Sequence, residues 1–167
     1  MKKTSRLFLV AYFYLAWFGS VALAKGEFSG VSYLFPSAAF LFLLFSGAIN
    51  RQFVFFSVPA ASVGILFDST MAHFGLISVV GQSNWLIPAW LVAIWFQFVI
   101  SMPFVAKDFS LNPIVFALAG AVMGPLSYES GRLFDVLTLN GSFAWFSYSA
   151  FWAIFLPSYM WATRRAT

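Results

Sequence analysis

The sequence predicts an all-α, polytopic membrane protein with six transmembrane helices and both termini in the cytoplasm. Hydrophobic residues make up 62% and charged residues 8% of the 167 residues, whereas a soluble domain has roughly 45–50% and about 25%. The apolar residues also fall in long continuous runs, and the basic residues cluster on one side of those runs. A soluble domain with this composition would have too few polar residues to cover its solvent-exposed surface. Soluble enzymes, nucleic-acid-binding modules and disordered chains are therefore excluded.

The first span is predicted over residues 7–24, directly after a basic N-terminal segment. Basic residues, an apolar run and the small-x-small triplet Ala22-Leu23-Ala24 also fit a secretory signal. The run is long for a signal core and rich in bulky side chains, so we favour a retained span over a cleaved one. Cleavage would leave five spans in the same orientation.

Short polar breaks separate the remaining spans. The third span is the longest and is expected to be tilted or kinked near Pro59. The fifth is interrupted at Gly124-Pro125. No internal repeat is evident, neither of the two halves nor of a shorter unit, and residues 1–167 are expected to form one domain. The predicted spans two to six cover residues 31–49, 53–80, 85–106, 112–135 and 142–162.

The distribution of Lys and Arg orients these spans, because basic residues are enriched on the cytoplasmic side. Six spans place seven basic residues on the side of the termini and at most two on the other side. The seven are Lys2, Lys3, Arg6, Arg51, Lys107, Arg164 and Arg165, and the two are Lys25 and Arg132.

Asp68 is the most informative charge, because ionisable groups inside a bilayer usually face the bundle interior and mark function. It lies roughly 18 Å from the outer end of span three, near the midplane, and Gln97 of span four is level with it. The carboxylate could be a proton or cation site or bind a ligand head group. It could equally be structural, either paired with Arg132 or protonated and hydrogen-bonded across helices.

Further polar candidates lie nearer the outer surface. His73 is the only histidine and the chain has no cysteine, so a zinc site is a poor match and a packing role is favoured over catalysis. Glu129 and Arg132 are three residues apart, which allows an ion pair on one helix face. Alternatively, Arg132 holds an anionic head group, with Tyr128 and Asp135 on the same polar rim.

The sequence contains none of the phosphate-loop, zinc-protease or serine-hydrolase motifs. We therefore assign no catalytic residue, cofactor or metal site, and enzymatic activity is not favoured. Gly120 and Gly124 form a small-xxx-small face that favours close helix packing.

Several local strings resemble a family of small bacterial inner-membrane proteins that is classed as a domain of unknown function. They are Trp17-Phe18, the Gly64–Asp68 segment, a Trp-rich span four and residues 120–128 with Gly131. The most specific piece is Gly-Pro-Leu-Ser-Tyr at residues 124–128. The resemblance implies a multi-pass protein of the bacterial inner membrane without an assigned activity.

We expect the protein to handle a small molecule or a lipid in a polar pocket that opens outward between spans three, four and five. Membrane lipid is the expected partner, and nucleic acid is not. The alternatives are a structural or interaction subunit and a membrane-embedded lipid-modifying enzyme, which would need an acid or base beside His73. The expected pocket has Asp68 and Gln97 at its floor and His73, Tyr128, Glu129 and Arg132 along its wall.

The predicted orientation can be tested with topology reporters. A reporter fused at Ser83 should read as outside the cytoplasm and one fused at Lys107 as inside, because the first loop has no basic residue and the second has one. A cytoplasmic signal at Ser83 would contradict the six-span arrangement.

Overall fold

A computed structural model describes residues 3–106 and 112–164 of the chain. The predicted polar break at 107–110 falls outside these residues, as do Lys2, Lys107 and Arg165, on which part of the predicted orientation rests. The described part is mostly helical, which confirms the predicted six helices. They are α1 (Lys3–Leu23), α2 (Leu34–Phe45), α3 (Arg51–His73), α4 (Ala89–Val105), α5 (Pro113–Leu133) and α6 (Gly141–Thr163).

The helix α4 is the central helix of the bundle. All of its residues are buried or partly buried, and it packs against α1, α2 and α3. The other five helices carry large apolar side chains that are exposed, for example Phe45 at 85%, Leu118 at 64% and Trp161 at 74%. Exposed apolar surface on this scale marks contact with a membrane or another protein.

By length and composition, α3 is the one helix among the described residues that could cross a membrane. Shorter apolar helices occupy Leu7–Leu23, Ser29–Phe45 and Ala89–Val105. A short 3-10 helix over Ser29–Tyr33 precedes α2, so the predicted second span is a composite of two helical pieces.

The predicted third span was wrong at its outer end. α3 begins after Asn50, whose side chain accepts a hydrogen bond from the Phe53 amide at 2.9 Å, and it ends at His73 instead of continuing to residue 80. Gly75 has a φ of 70°, a left-handed conformation that ends helices and suits glycine. Beyond it, Ile77–Val79 forms strand β1, because β-branched residues favour extended structure.

Strand β1 pairs antiparallel with β2 (Leu137–Leu139), and the pair has two-fold symmetry. The register joins Ile77 to Leu139, Ser78 to Thr138 and Val79 to Leu137. The central pair, Ser78 and Thr138, is 60 residues apart, so the symmetry makes each residue of β1 equivalent to the one 60 positions later in β2. The flanking bonds obey the same symmetry. The Val80 amide donates to the Val136 carbonyl, and the Asn140 amide donates to the Leu76 carbonyl, both at 2.9 Å.

The turns before the two strands are also equivalent. Asp135, with a φ of 52°, takes the place of Gly75. The Val136 amide reaches back to the Gly131 carbonyl at 3.1 Å, as the Leu76 amide reaches the Met71 carbonyl at 2.8 Å. These are the same helix-ending motif, again displaced by 60 residues.

The helices continue this symmetry into the core. Gly64 of α3 lies directly against the ring of Trp95 in α4, and Gly124 of α5 lies directly against the ring of Trp152 in α6. The two indole rings stack on each other with centroids 5.2 Å apart and 7° between their planes. The helix pairs α3–α4 and α5–α6 therefore form an internal repeat, and the expectation from the sequence that there is none was wrong.

The close approach at Gly64 predicts a large effect of a small substitution. Gly64→Ala should lower the thermal unfolding temperature of the purified protein, because the added methyl group would overlap the Trp95 ring. Overpacking of this kind costs about 1–3 kcal/mol, more than the roughly 1 kcal/mol that alanine gains in helix propensity. Gly30→Ala is the matched control, since nothing lies within 4 Å of its added carbon. Equal melting temperatures for the two variants would contradict this packing.

Candidate functional site

Asp68 is completely buried, and three aromatic side chains donate hydrogen bonds to its carboxylate. Trp95 Nε1 lies 2.7 Å from Oδ2, and Tyr148 Oη lies 2.8 Å from Oδ1. Tyr128 Oη lies 2.9 Å from both oxygens. The carboxylate belongs to α3 and the donors to α4, α5 and α6, so one side chain joins four helices. We call these four residues the Asp68 cluster.

The Asp68 cluster satisfies the carboxylate from within the protein. A carboxylate is an acceptor with about four lone-pair sites, and the three donors make four contacts of hydrogen-bond length with it. In the part of the chain that the structure describes, no Lys or Arg forms an ion pair with Asp68. Of the structural alternatives, hydrogen bonding across helices is therefore the one observed, and pairing with Arg132 is not.

The internal repeat explains why these particular residues meet. Tyr128 stands 60 residues after Asp68, so the two occupy equivalent positions on α3 and α5 and face each other across the symmetry axis. Each follows a glycine by one turn, and that glycine lets a tryptophan ring approach. Trp95 Nε1 donates to Asp68, while the buried Trp152 Nε1 lies beside the Tyr128 hydroxyl without a well-aligned hydrogen bond.

The other predicted site residues lie apart from the Asp68 cluster. Glu129 and Arg132 form an ion pair with each other, and the Arg132 side chain is 55% exposed. His73 is exposed at the end of α3, where its ring packs edge-on against Phe74 at 5.6 Å. Gln97 is buried and donates to Ser101 Oγ at 2.9 Å. Of the six residues predicted to bind a ligand, only Asp68 and Tyr128 belong to the Asp68 cluster.

Two members of the Asp68 cluster were not predicted from the sequence. Trp95 and Tyr148 are aromatic residues in apolar runs, where packing is the default interpretation. The spacing of Gly64 and Asp68 places both on one helix face. A glycine one turn away leaves room for a large side chain, so this spacing indicates an aromatic residue that donates a hydrogen bond to Asp68.

A cavity of about 530 Å³ lies beside the Asp68 cluster, within the roughly 300–1,000 Å³ usual for ligand sites. Its walls come from α4 and α5, with α1 across the opening and α6 behind. It extends along α5 from Gly120 to Gly131, which is roughly 16 Å at about 1.5 Å per residue. It reaches the molecular surface, because lining residues Tyr14, Phe18 and Met123 are exposed.

The cavity differs from the pocket that the sequence predicted. The expected pocket was polar and lay between spans three, four and five, whereas this one is lined almost entirely by apolar and aromatic side chains of α1, α4 and α5. Glu129, Arg132, His73 and Gln97 do not line it. Helix α3 lies on the far side of the Asp68 cluster, whose Trp95 and Tyr128 form part of the cavity wall.

Several polar groups in the cavity wall are already bonded to the protein, and Trp152 Nε1 is the buried lining donor that has no partner among the described residues. Trp95 Nε1 and the Tyr128 hydroxyl donate to Asp68. Ser127 Oγ donates to the Gly124 carbonyl at 2.6 Å, and Trp90 Nε1 donates to the Val80 carbonyl at 3.0 Å. Because these donors are satisfied, the cavity suits an apolar occupant. The described residues contain no group of three His, Asp or Glu side chains that could hold a metal ion.

Comparison with known proteins gives one match. The family model described as "Protein of unknown function (DUF2878)" matches residues 6–158, which is most of the chain. No curated protein and no solved structure matches.

Removing the carboxylate should destabilise the bundle. Asp68→Ala leaves three buried donors without an acceptor, and each unsatisfied group costs about 1–3 kcal/mol. We expect a clearly lower thermal unfolding temperature in detergent. Asp68→Asn should fall between Asp68→Ala and the wild type, because its amide keeps one acceptor oxygen and a tyrosine hydroxyl can rotate to accept from its N–H group. If Asp68→Ala unfolds at the wild-type temperature, the cluster does not hold the helices together.

Proposed function

This chain belongs to the DUF2878 family of proteins of unknown function, and we propose that it binds an anionic membrane lipid through the lipid's hydrocarbon chain in the cavity between α4 and α5. In this proposal the protein spans the bacterial inner membrane six times, with both termini in the cytoplasm. The proposal depends on one observation above all: the cavity is large, apolar and open to the surface. The donors of Trp90, Trp95, Ser127 and Tyr128 in its wall are bonded within the protein, which leaves Trp152 Nε1 as the buried lining donor without a partner in the described ranges.

The exposed surface around the cavity supports the choice of a lipid. The opening lies between α1 and α5, whose outward faces carry exposed apolar side chains such as Leu15 at 68% and Leu118 at 64%. In a six-span arrangement these faces are in contact with the bilayer. A lipid chain can therefore enter from the side without passing through water. A polar small molecule would find few free hydrogen-bonding groups there, since Trp152 Nε1 is the buried lining atom without a partner among the described residues.

The charges at the outer end of the cavity support an anionic head group. Arg132 directly follows the lining residue Gly131, and Lys25 comes one turn beyond the lining residue Val21. Both cations already contact an acid. Arg132, whose side chain is 55% exposed, pairs with Glu129, and Lys25 lies 3.8 Å from Asp135, whose side chain is 88% exposed. Pairs with this exposure contribute little. A lipid phosphate at this level could bind both cations, since basic side chains near a membrane surface attract anionic lipid by about 1 kcal/mol each.

The Asp68 cluster has a structural part in this proposal. The saturated hydrogen bonding of its carboxylate fits a group that orients four helices and lines up the cavity wall. This retains the scaffold interpretation for Asp68, while the ligand is assigned to the apolar space beside it. A lipid-modifying enzyme has less support, because no hydrogen bond or ion pair joins His73 to another residue in the described ranges.

Lipid binding can be tested by photolabelling. The protein is reconstituted in vesicles that contain phosphatidylglycerol with a diazirine in one acyl chain, and the labelled residues are mapped by mass spectrometry. Cavity-lining residues such as Met123 and Phe98 should be labelled, and excess unlabelled lipid should suppress that labelling. Leu66 and Phe146, which are exposed on α3 and α6 away from the cavity, are the internal controls and should be labelled without saturation.

The head group is tested with phosphatidylcholine that carries the same chain. The anionic lipid should label the cavity several-fold better, since about 1 kcal/mol corresponds to a factor of about five. Arg132→Gln with Lys25→Gln should remove that preference and leave labelling by the chain. Labelling that is unsaturable everywhere would refute lipid binding, and equal labelling by both lipids would refute the anionic head group alone.

A further inference from the structure

The internal repeat makes two helix–helix interfaces equivalent, and the two are packed differently. We call each interface a seam: one lies between α3 and α6, and the other lies between α4 and α5. The symmetry that exchanges α3 with α5 and α4 with α6 also exchanges the α3–α6 seam with the α5–α4 seam. Helix α3 packs directly against α6, whereas α4 and α5 have few contacts with each other. The cavity occupies the α4–α5 seam.

A pair of phenylalanine rings closes the α3–α6 seam. Phe67 and Phe151 stack with their centroids 3.9 Å apart and 7° between their planes. The equivalent of Phe67 is Ser127. The two are 60 residues apart, as are Asp68 and Tyr128. The equivalent of Phe151 is Ile94, 57 positions earlier, in the shift that relates Trp152 to Trp95. Ser127 and Ile94 both line the cavity.

We infer that Ser127 and Ile94 determine whether the lipid chain can enter, because they leave empty the space that Phe67 and Phe151 fill in the equivalent seam. This inference rests on the proposed function and adds to it the residues that set the width of the site. It follows from a comparison inside one molecule. Equivalent glycines, tryptophans and helix ends surround both seams, and the ring pair is a local difference between the closed seam and the open one.

A third substitution in the repeat acts in the same direction. Met71 is partly buried and packs against the core on α3, and its equivalent on α5 is Gly131, which lines the outer end of the cavity. Methionine is a flexible side chain that fills irregular gaps, and glycine leaves such a gap open. Ser127 and Gly131 are one helical turn apart, so both enlargements open the same side of α5.

The inference is tested by introducing the phenylalanine pair of the α3–α6 seam at the equivalent positions of the α4–α5 seam. The double variant Ser127→Phe with Ile94→Phe should lose the saturable photolabelling of Met123 and Phe98 by the diazirine phosphatidylglycerol. Its thermal unfolding temperature should equal or exceed that of the wild type, because filling a cavity with side chains that the fold already accommodates tends to stabilise. The matched control is Phe143→Ser with Phe146→Ile, which changes exposed phenylalanines on α6 and should leave the labelling unchanged.

The outcomes separate this inference from the proposed function. If the wild type shows no saturable labelling in the cavity, the proposed function fails. If the wild type is labelled and the double variant is labelled equally, or unfolds at a much lower temperature, lipid binding stands and the equivalence of the two seams fails. The reverse variant Phe67→Ser with Phe151→Ile gives an independent measurement. It should make the labelling of Leu66, whose equivalent Leu126 lines the cavity, saturable and should keep the labelling of Met123. Labelling at Leu66 that stays unsaturable would overturn the inference.

Discussion

One buried carboxylate sets the arrangement of this bundle. Asp68 is completely enclosed, and its two oxygens receive an indole and two phenol groups from three other helices. In an apolar interior a polar group must be bonded wherever it lies, so α4, α5 and α6 cannot slide or rotate far relative to α3 without breaking these bonds. Packing between apolar side chains is far less demanding about register. The hydrogen bonds of the cluster therefore fix the relative heights of four helices.

The cluster is also where the internal symmetry breaks. Glycines 64 and 124 and the tryptophans that they face obey the two-fold relation, as do the strands and the turns before them. At the centre, however, the carboxylate of Asp68 is matched by the phenol of Tyr128. Two carboxylates facing each other there would repel, and two phenols would provide no strong acceptor for the indole N–H group. With a carboxylate at position 68 and a phenol at position 128, the two side chains that face each other across the symmetry axis can form a hydrogen bond.

The sequence predicted the six helices and drew attention to Asp68, because long apolar runs and an isolated charge are strong local signals. It placed the end of α3 wrongly, since hydropathy does not distinguish a buried helix from the strand Ile77–Val79 that follows it. It did not single out Trp95, because an indole among apolar residues carries no sign of its acceptor. The cavity could not be predicted, because a void depends on the difference in size between residues such as Phe67 and Ser127 that are far apart in the chain. The repeat could not be recognised in the sequence either, because few side chains are identical in its two copies. The first copy also begins at residue 51, so the repeat does not divide the chain into halves.

Tyr128 and Trp95 each have two neighbours of different kinds, since both bind Asp68 and both line the cavity. Any occupant of the cavity that shifts either ring changes the free energy of the hydrogen bonds to the carboxylate. Coupling between two sites is reciprocal, so a change at Asp68 must alter the affinity of the cavity by the same factor. Binding in the cavity, as proposed, would therefore be linked to the stability of the hydrogen bonds in the Asp68 cluster.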